Sequence, residues 1–181
     1  MSEKMKYPKW GVGNWWIVSV KQRAIWLKSP EVHWVGPFHL RFQVIREDED
    51  SYVLEVTYPD RPESIAPKRA EVWFSKRDFR FVKGTIYLGE NEIPMEQDFL
   101  AKVHIDHPPG VDLRGKEAEE QITKGPEDRF RHVLKTFIVK TPTGGTQVSS
   151  PELPYHLRIQ EEDYTLELES WGSREGYTTW P

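Results

Sequence analysis

Between Phe38 and Val44 apolar and polar residues alternate without a break: Phe38, Leu40, Phe42 and Val44 against His39, Arg41 and Gln43. A period of two puts each set on its own face of an extended strand, which predicts that the first set is buried and the second exposed. The acidic stretch 48–51 turns the chain. Tyr52, Leu54, Val56 and Tyr58 then resume the alternation, which predicts a hairpin. Asn14–Val20 reads as an earlier strand and Arg23–Lys28 as a further arm, followed by a loop over 29–37 bounded by Pro30 and Pro37. Residues 59–69 are proline-rich and aperiodic, hence a loop, and 70–89 form a second hairpin. A short turn and a strand near Phe99–Ile105 precede a rigid loop over 107–115.

One region favours helix. Lys116–Thr123 is rich in helix formers and stops before Gly125. A second helix is predicted from Pro126, with Phe130, Val133, Leu134 and Phe137 on one face. Its rival is a long strand running through 135–141. Beyond it, Gly144 and Gly145 mark a hairpin turn, and the strands over 155–160 and 163–171 pair across Glu161 and Glu162. No repeat or composition shift divides the chain, so residues 1–181 are read as one β-rich domain. The predicted fold is mainly β: a single curved antiparallel sheet, half-barrel or open barrel, with one or two short helices between Lys116 and Lys135.

Trp15 and Trp16 stand side by side on the first strand, and an extended backbone sends them to opposite faces. Trp16, Val18 and Val20 share one face; Trp15 and Ile17 share the other before Ser19 and Lys21 turn it polar. A strand apolar on both sides is one covered on both sides. The prediction is that Trp16 joins the core while Trp15 faces a cavity or a contact surface.

Composition narrows the function classes. The chain has 181 residues, no cysteine, a formal net charge of -4 and eight tryptophans. The missing cysteines exclude disulfides, zinc-thiolate sites and thiol nucleophiles. Dispersed charge of both signs argues against a nucleic-acid partner and against a polybasic membrane anchor. No apolar run approaches the ~20 residues of a membrane-spanning helix. The first ten residues lack the apolar segment of a signal peptide. That places the chain in the cytoplasm if Met1 is the native start, and in the periplasm if a leader has been removed.

The candidate chemistry is sparse. His104, Asp106 and His107, with Asp112 nearby, are metal-ligand types, but a strand would point His107 away from the other two, and a strand end entering a Pro-Pro loop is the simpler reading. His33, His39, His132 and His156 are scattered, with His39 and His156 read as surface or rim residues. No serine lies in a G-x-S-x-G elbow and no phosphate-binding glycine loop surrounds Gly144. Glu117, Glu119 and Glu120 are expected on a solvated helical surface. The aromatics remain: Trp15, Trp16, Trp26, Trp34 and Trp73 are the candidate lining of an apolar concavity.

The segment 10–20 followed by the strand pair 38–47 and 52–58 looks like the start of bacterial envelope proteins that open with a G-x-x-W segment and an antiparallel meander. Residues 70–87, with Trp73 in the first arm and Phe79–Tyr87 in the second, are similar to a strand–turn–strand unit of the periplasmic lipoprotein-carrier fold. The likeness covers roughly half the chain. It implies an open, strongly curved sheet closed by helices, whose apolar concave face receives acyl chains. Gly13–Trp16 is also similar to the G-x-W opening of lipocalins, over that motif alone. The expected function is non-catalytic binding of a hydrophobic or lipid-like ligand, with no cofactor and no metal. The alternative is a structural or adaptor domain that docks a partner protein, or a second copy of itself, through an exposed sheet face or edge.

Overall fold

The computed structural model describes residues 4–24, 31, 33–60, 69–122 and 132–173. Its strands, in chain order, are β1 (Met5–Lys6), β2 (Trp15–Arg23), β3 (Trp34–Glu47), β4 (Ser51–Thr57), β5 (Arg69–Ser75), β6 (Phe81–Leu88), β7 (Asn91–Pro94), β8 (Val111–Asp112), β9 (Lys116–Ile122), β10 (His132–Lys140), β11 (Thr146–Ser149), β12 (Arg158–Gln160) and β13 (Tyr164–Gly172). A short 3-10 helix, Gln97–Val103, lies between β7 and β8. β1 pairs with β8. The other eleven form one antiparallel sheet in the order β7-β6-β5-β4-β3-β2-β13-β12-β11-β10-β9. It consists of two meanders, β2 to β7 and β9 to β13, joined where the last strand lies beside β2. The ends of that order, β7 and β9, are not paired with each other, so the sheet is open rather than a closed barrel. Register shifts between Val20 and Gln22, Val44 and Arg46, Trp73 and Phe74, and Leu168 and Ser170 mark irregularities of the kind that bend strands and increase twist.

The inner face follows the period-two reading except at Phe38, which is half-buried rather than buried. Trp16, Val18 and Val20 of β2 meet Leu40, Phe42 and Val44 of β3, all at most 1% exposed. What fills the concavity is the chain's own non-strand segments. Trp10 sits 4.8 Å from Trp16, 5.6 Å from Tyr52 and 4.7 Å from Phe79, ring to ring, and its Nε1 donates to the Pro154 carbonyl at 2.9 Å. Tyr155 stacks on Trp16 and Phe42 at 6.2 Å from each. Met95, Leu100, Ile105 and Leu153 complete the same cluster.

The outer face is less wet than the alternation implies. His39, Arg41 and Gln43 are half-buried, not exposed, because this face is a ladder of ion pairs and cation–aromatic contacts. His39 bridges Asp60 at 2.7 Å and Glu169 at 3.2 Å. Arg41 lies over the Trp15 ring. Buried Glu71 accepts from Tyr87 Oη at 2.7 Å and pairs with Arg46 and Arg69 at 3.3 and 3.2 Å.

Several expected elements differ. Lys116–Ile122 is strand β9, not helix: seven register pairs tie it to β10, and the Thr136 hydroxyl donates to the Ala118 carbonyl at 3.1 Å. Helix propensities of Glu, Lys and Gln differ from those of strand formers by less than ~1 kcal/mol per residue, too little to outweigh such pairing. The predicted second helix begins outside the described residues. From His132 to Lys140 the chain is strand, the rival reading. The strand expected over Phe99–Ile105 is mostly the 3-10 helix, ended by His104 at φ 56°. β3 begins at Trp34, inside the predicted loop. The predicted arm at Arg23–Lys28 lies mostly outside the described residues.

Candidate functional site

The five tryptophans do not gather at one place. Trp16 is sealed in the core at 1% exposure. Trp15 and Trp73 are half-buried on the outer face, on β2 and β5, with β3 and β4 between them. Trp15 packs on the backbone of Gly172, where an added Cβ would lie 2.9 Å from the indole, and donates to the Ser173 carbonyl at 3.3 Å. Trp73 lies between the cations of Arg46 and Lys83, at 5.7 and 4.8 Å. Trp34 is 45% exposed at the start of β3, and Trp26 lies outside the described residues.

A different place has the geometry of a site. A cleft of about 940 Å³ opens where the end of β2, the loop after the 3-10 helix and the β10–β11 and β12–β13 turns come together. The β12–β13 turn closes by the Glu161 N–H donating to the Tyr164 carbonyl at 2.9 Å, which swings Glu161 toward the β10–β11 turn. There the Thr143 hydroxyl donates to Glu161 Oε2 at 2.8 Å. The left-handed turn at His104 sends the following loop back across the start of β13. The Tyr164 hydroxyl is accordingly hydrogen-bonded to His107 Nε2 at 2.6 Å, while its ring lies 4.8 Å from that of His104. The Gln22 amide donates to His104 Nε2 at 3.1 Å.

The wall behind these groups is fixed by buried polar bonds. Tyr155 Oη donates to the His107 carbonyl at 3.0 Å. His156, fully buried, donates from Nε2 to the Pro108 carbonyl at 2.7 Å and accepts the Ser149 hydroxyl at Nδ1, 2.5 Å away. A carbonyl can only accept, so this pair of bonds fixes the tautomer. Burial lowers the His156 pKa to about 4, against the opposing hydrogen bond to Pro108, so the ring is neutral. Burial also raises the Tyr155 and Tyr164 phenols above their ordinary value, with the Asp106 carboxylate pushing both the same way.

Chemically, this arrangement holds hydrogen-bonding groups still. A phenol held protonated is a donor and not a nucleophile or base at neutral pH. Ser149 and His156 resemble a serine–histidine pair, but both are at most 2% exposed and the second imidazole nitrogen is committed to a backbone carbonyl. Three of the four residues considered for a metal, His104, Asp106 and His107, line the cleft. Asp112 instead pairs with Arg114 at 2.9 Å, and no cluster of three or more His, Asp or Glu able to hold a metal occurs among the described residues.

No protein-family model, curated protein or solved structure matches the chain. The likeness to the lipoprotein-carrier fold therefore rests on the sequence pattern alone.

Sequence reasoning missed Glu161, Tyr164, Ser149 and Tyr155 as a set, and it read His156 as a surface or rim residue although it is fully buried. One signal was in the sequence: the short turn at Glu161–Glu162 between two alternating strands must put its residues at a sheet end. Nothing in the sequence said which other turn it would face.

Proposed function

We propose that this protein is a non-catalytic binding protein for a small molecule with an apolar body, and that its site is the cleft bounded by His107, Glu161 and Tyr164. The observation that carries this reading is convergence. Three polar side chains from two separate segments meet in a cleft of about 940 Å³ whose wall is tied together by hydrogen bonds of the buried Tyr155 and His156 side chains. Binding sites are commonly concave and partly apolar, with a few fixed polar groups. Met5, Tyr7, Pro108 and Pro142 supply the apolar part here. The protonated phenols and the sealed Ser149–His156 pair support binding over catalysis. Docking through a sheet edge has less behind it. β7 is four residues long and ends on Pro94, and β9 carries exposed Glu117 and Glu119, features that discourage strand addition.

The test is a backbone amide spectrum titrated with a fragment set containing amines, carboxylates and neutral alcohols. Fragments that bind should shift the amides of His107 and Tyr164, and His107→Ala with Tyr164→Ala should weaken those fragments at least tenfold. Shifts confined to other regions, or no shifts at all, would remove the cleft as the site.

A further inference from the structure

We propose that the cleft takes a small organic cation, seating an ammonium group on Glu161 and the attached carbons against Tyr7 and Tyr164. This rests on the reading of the cleft as a binding site and names the ligand class. The first observation is Glu161 itself. Its side chain is only 5% exposed, it lines the cleft, and Oε1 has no hydrogen-bond partner. Oε2 is taken by Thr143, whereas Oε1 has only a loose ion-pair contact, 3.8 Å from His107 Nε2 and beyond hydrogen-bond reach, and that nitrogen is already hydrogen-bonded to the Tyr164 hydroxyl. A buried carboxylate oxygen left without a hydrogen-bond donor is costly, and a cationic donor admitted to it from the cleft by a shift of the adjacent His107 side chain would remove that cost.

The second observation is the charge around it. Asp106, Glu162 and Asp163 are exposed on the same cleft, and among its described lining residues the arginine or lysine is Arg23, 3.6 Å from Glu162. A cleft lined mainly by one sign of charge concentrates the opposite ion. Aromatic faces beside it favour an organic cation over a bare one, and the described residues offer no metal-holding cluster.

Calorimetric titration with 1,4-diaminobutane decides the question, with 1,4-butanediol as the neutral analogue and magnesium chloride as the inorganic cation. The expected result is saturable binding of one diamine per chain, weakening as salt is raised, with no heat from the diol. Glu161→Gln should weaken it at least tenfold while the amide spectrum stays that of the folded chain. Should that variant not fold, Asp106→Asn at an exposed position should still weaken binding severalfold and reduce its salt dependence. Absence of diamine binding, or equal binding by the folded Glu161→Gln variant, overturns the inference. So does magnesium binding that competes with the diamine and is lost in that variant. Failure of the amine while carboxylate or alcohol fragments still shift His107 and Tyr164 would sink the cation and leave the cleft standing. Failure of every fragment there would sink both.

Discussion

Trp15 and Trp16 differ by one position and by nearly everything a side chain can experience. Trp16 packs in a cluster with Phe42, Tyr155 and Trp10, whereas Trp15 lies on the outer face against Arg41 and the backbone of Gly172. Removing Trp16 opens a cavity that three other rings cannot collapse into, so Trp16→Ala should cost ~3–5 kcal/mol. Trp15→Ala loses partial burial and one weak hydrogen bond, and should cost about 1–2 kcal/mol. Denaturant unfolding of the two variants side by side measures this. Equal losses would mean that the outer face is packed as tightly as the core. The same contrast shows how much a residue pattern carries. Alternation separated the two indoles correctly, but it could not say that Trp15 would be covered by the far end of the chain.

At the scale of elements, legibility followed the number of buried faces. β3 alternates because one face is core and the other is half-wet, so its apolar residues announce it. β9 is an edge strand whose buried residue is Ile122, so its sequence has no period of two, and its glutamates read as helix. The 3-10 helix escaped notice for a related reason: seven residues are too few to show a period. The strand assignment of β9 predicts opposite signs for two substitutions. Glu119→Thr, at an exposed position, should be neutral or stabilise by a few tenths of a kcal/mol in a strand, whereas in a helix it would destabilise by about 0.5. Glu120→Gln breaks the two-pronged pair with Arg158, at 2.9 and 2.5 Å, which ties β9 to β12, and should cost about 1 kcal/mol. Urea midpoints of both variants provide the check. A clear loss for Glu119→Thr with none for Glu120→Gln would count against the strand.

At the scale of the whole molecule, the cleft was illegible because it belongs to no element. Its parts come from three separated stretches of the chain, the first strands, the loop after the 3-10 helix and the turns of the second meander, and the β2 and β12–β13 parts are brought together where β13 lies beside β2. His156 holds that assembly from behind, joining the β11–β12 connection to the loop that carries His107, and its chemistry makes the assembly sensitive to acid. In the folded chain its pKa is lowered to about 4, chiefly by burial, against 6.5 for an ordinary histidine. Between those values the unfolded chain binds the extra proton, so stability rises with pH across the window and is lost on acidification through it. At about 1.36 kcal/mol per pH unit the whole window amounts to about 3 kcal/mol. His39 has the opposite sign. The hydrogen bond its ring donates to Asp60 raises its pKa, burial works against that, and the charges of Asp60 and Glu169 add to the rise. Its contribution is therefore complete below 6.5 and fades as pH climbs through the raised value. The two are separable by substitution. His156→Gln retains a donor for the Pro108 carbonyl but cannot titrate. It should lower stability at pH 7 and flatten the dependence between pH 6.5 and 4, while leaving the fall on the alkaline side in place. Unfolding midpoints of the two proteins across pH 4 to 8 measure the difference. If their acid limbs run parallel, His156 is not the group that couples protonation to the cleft wall, and the carboxylates alone account for the loss.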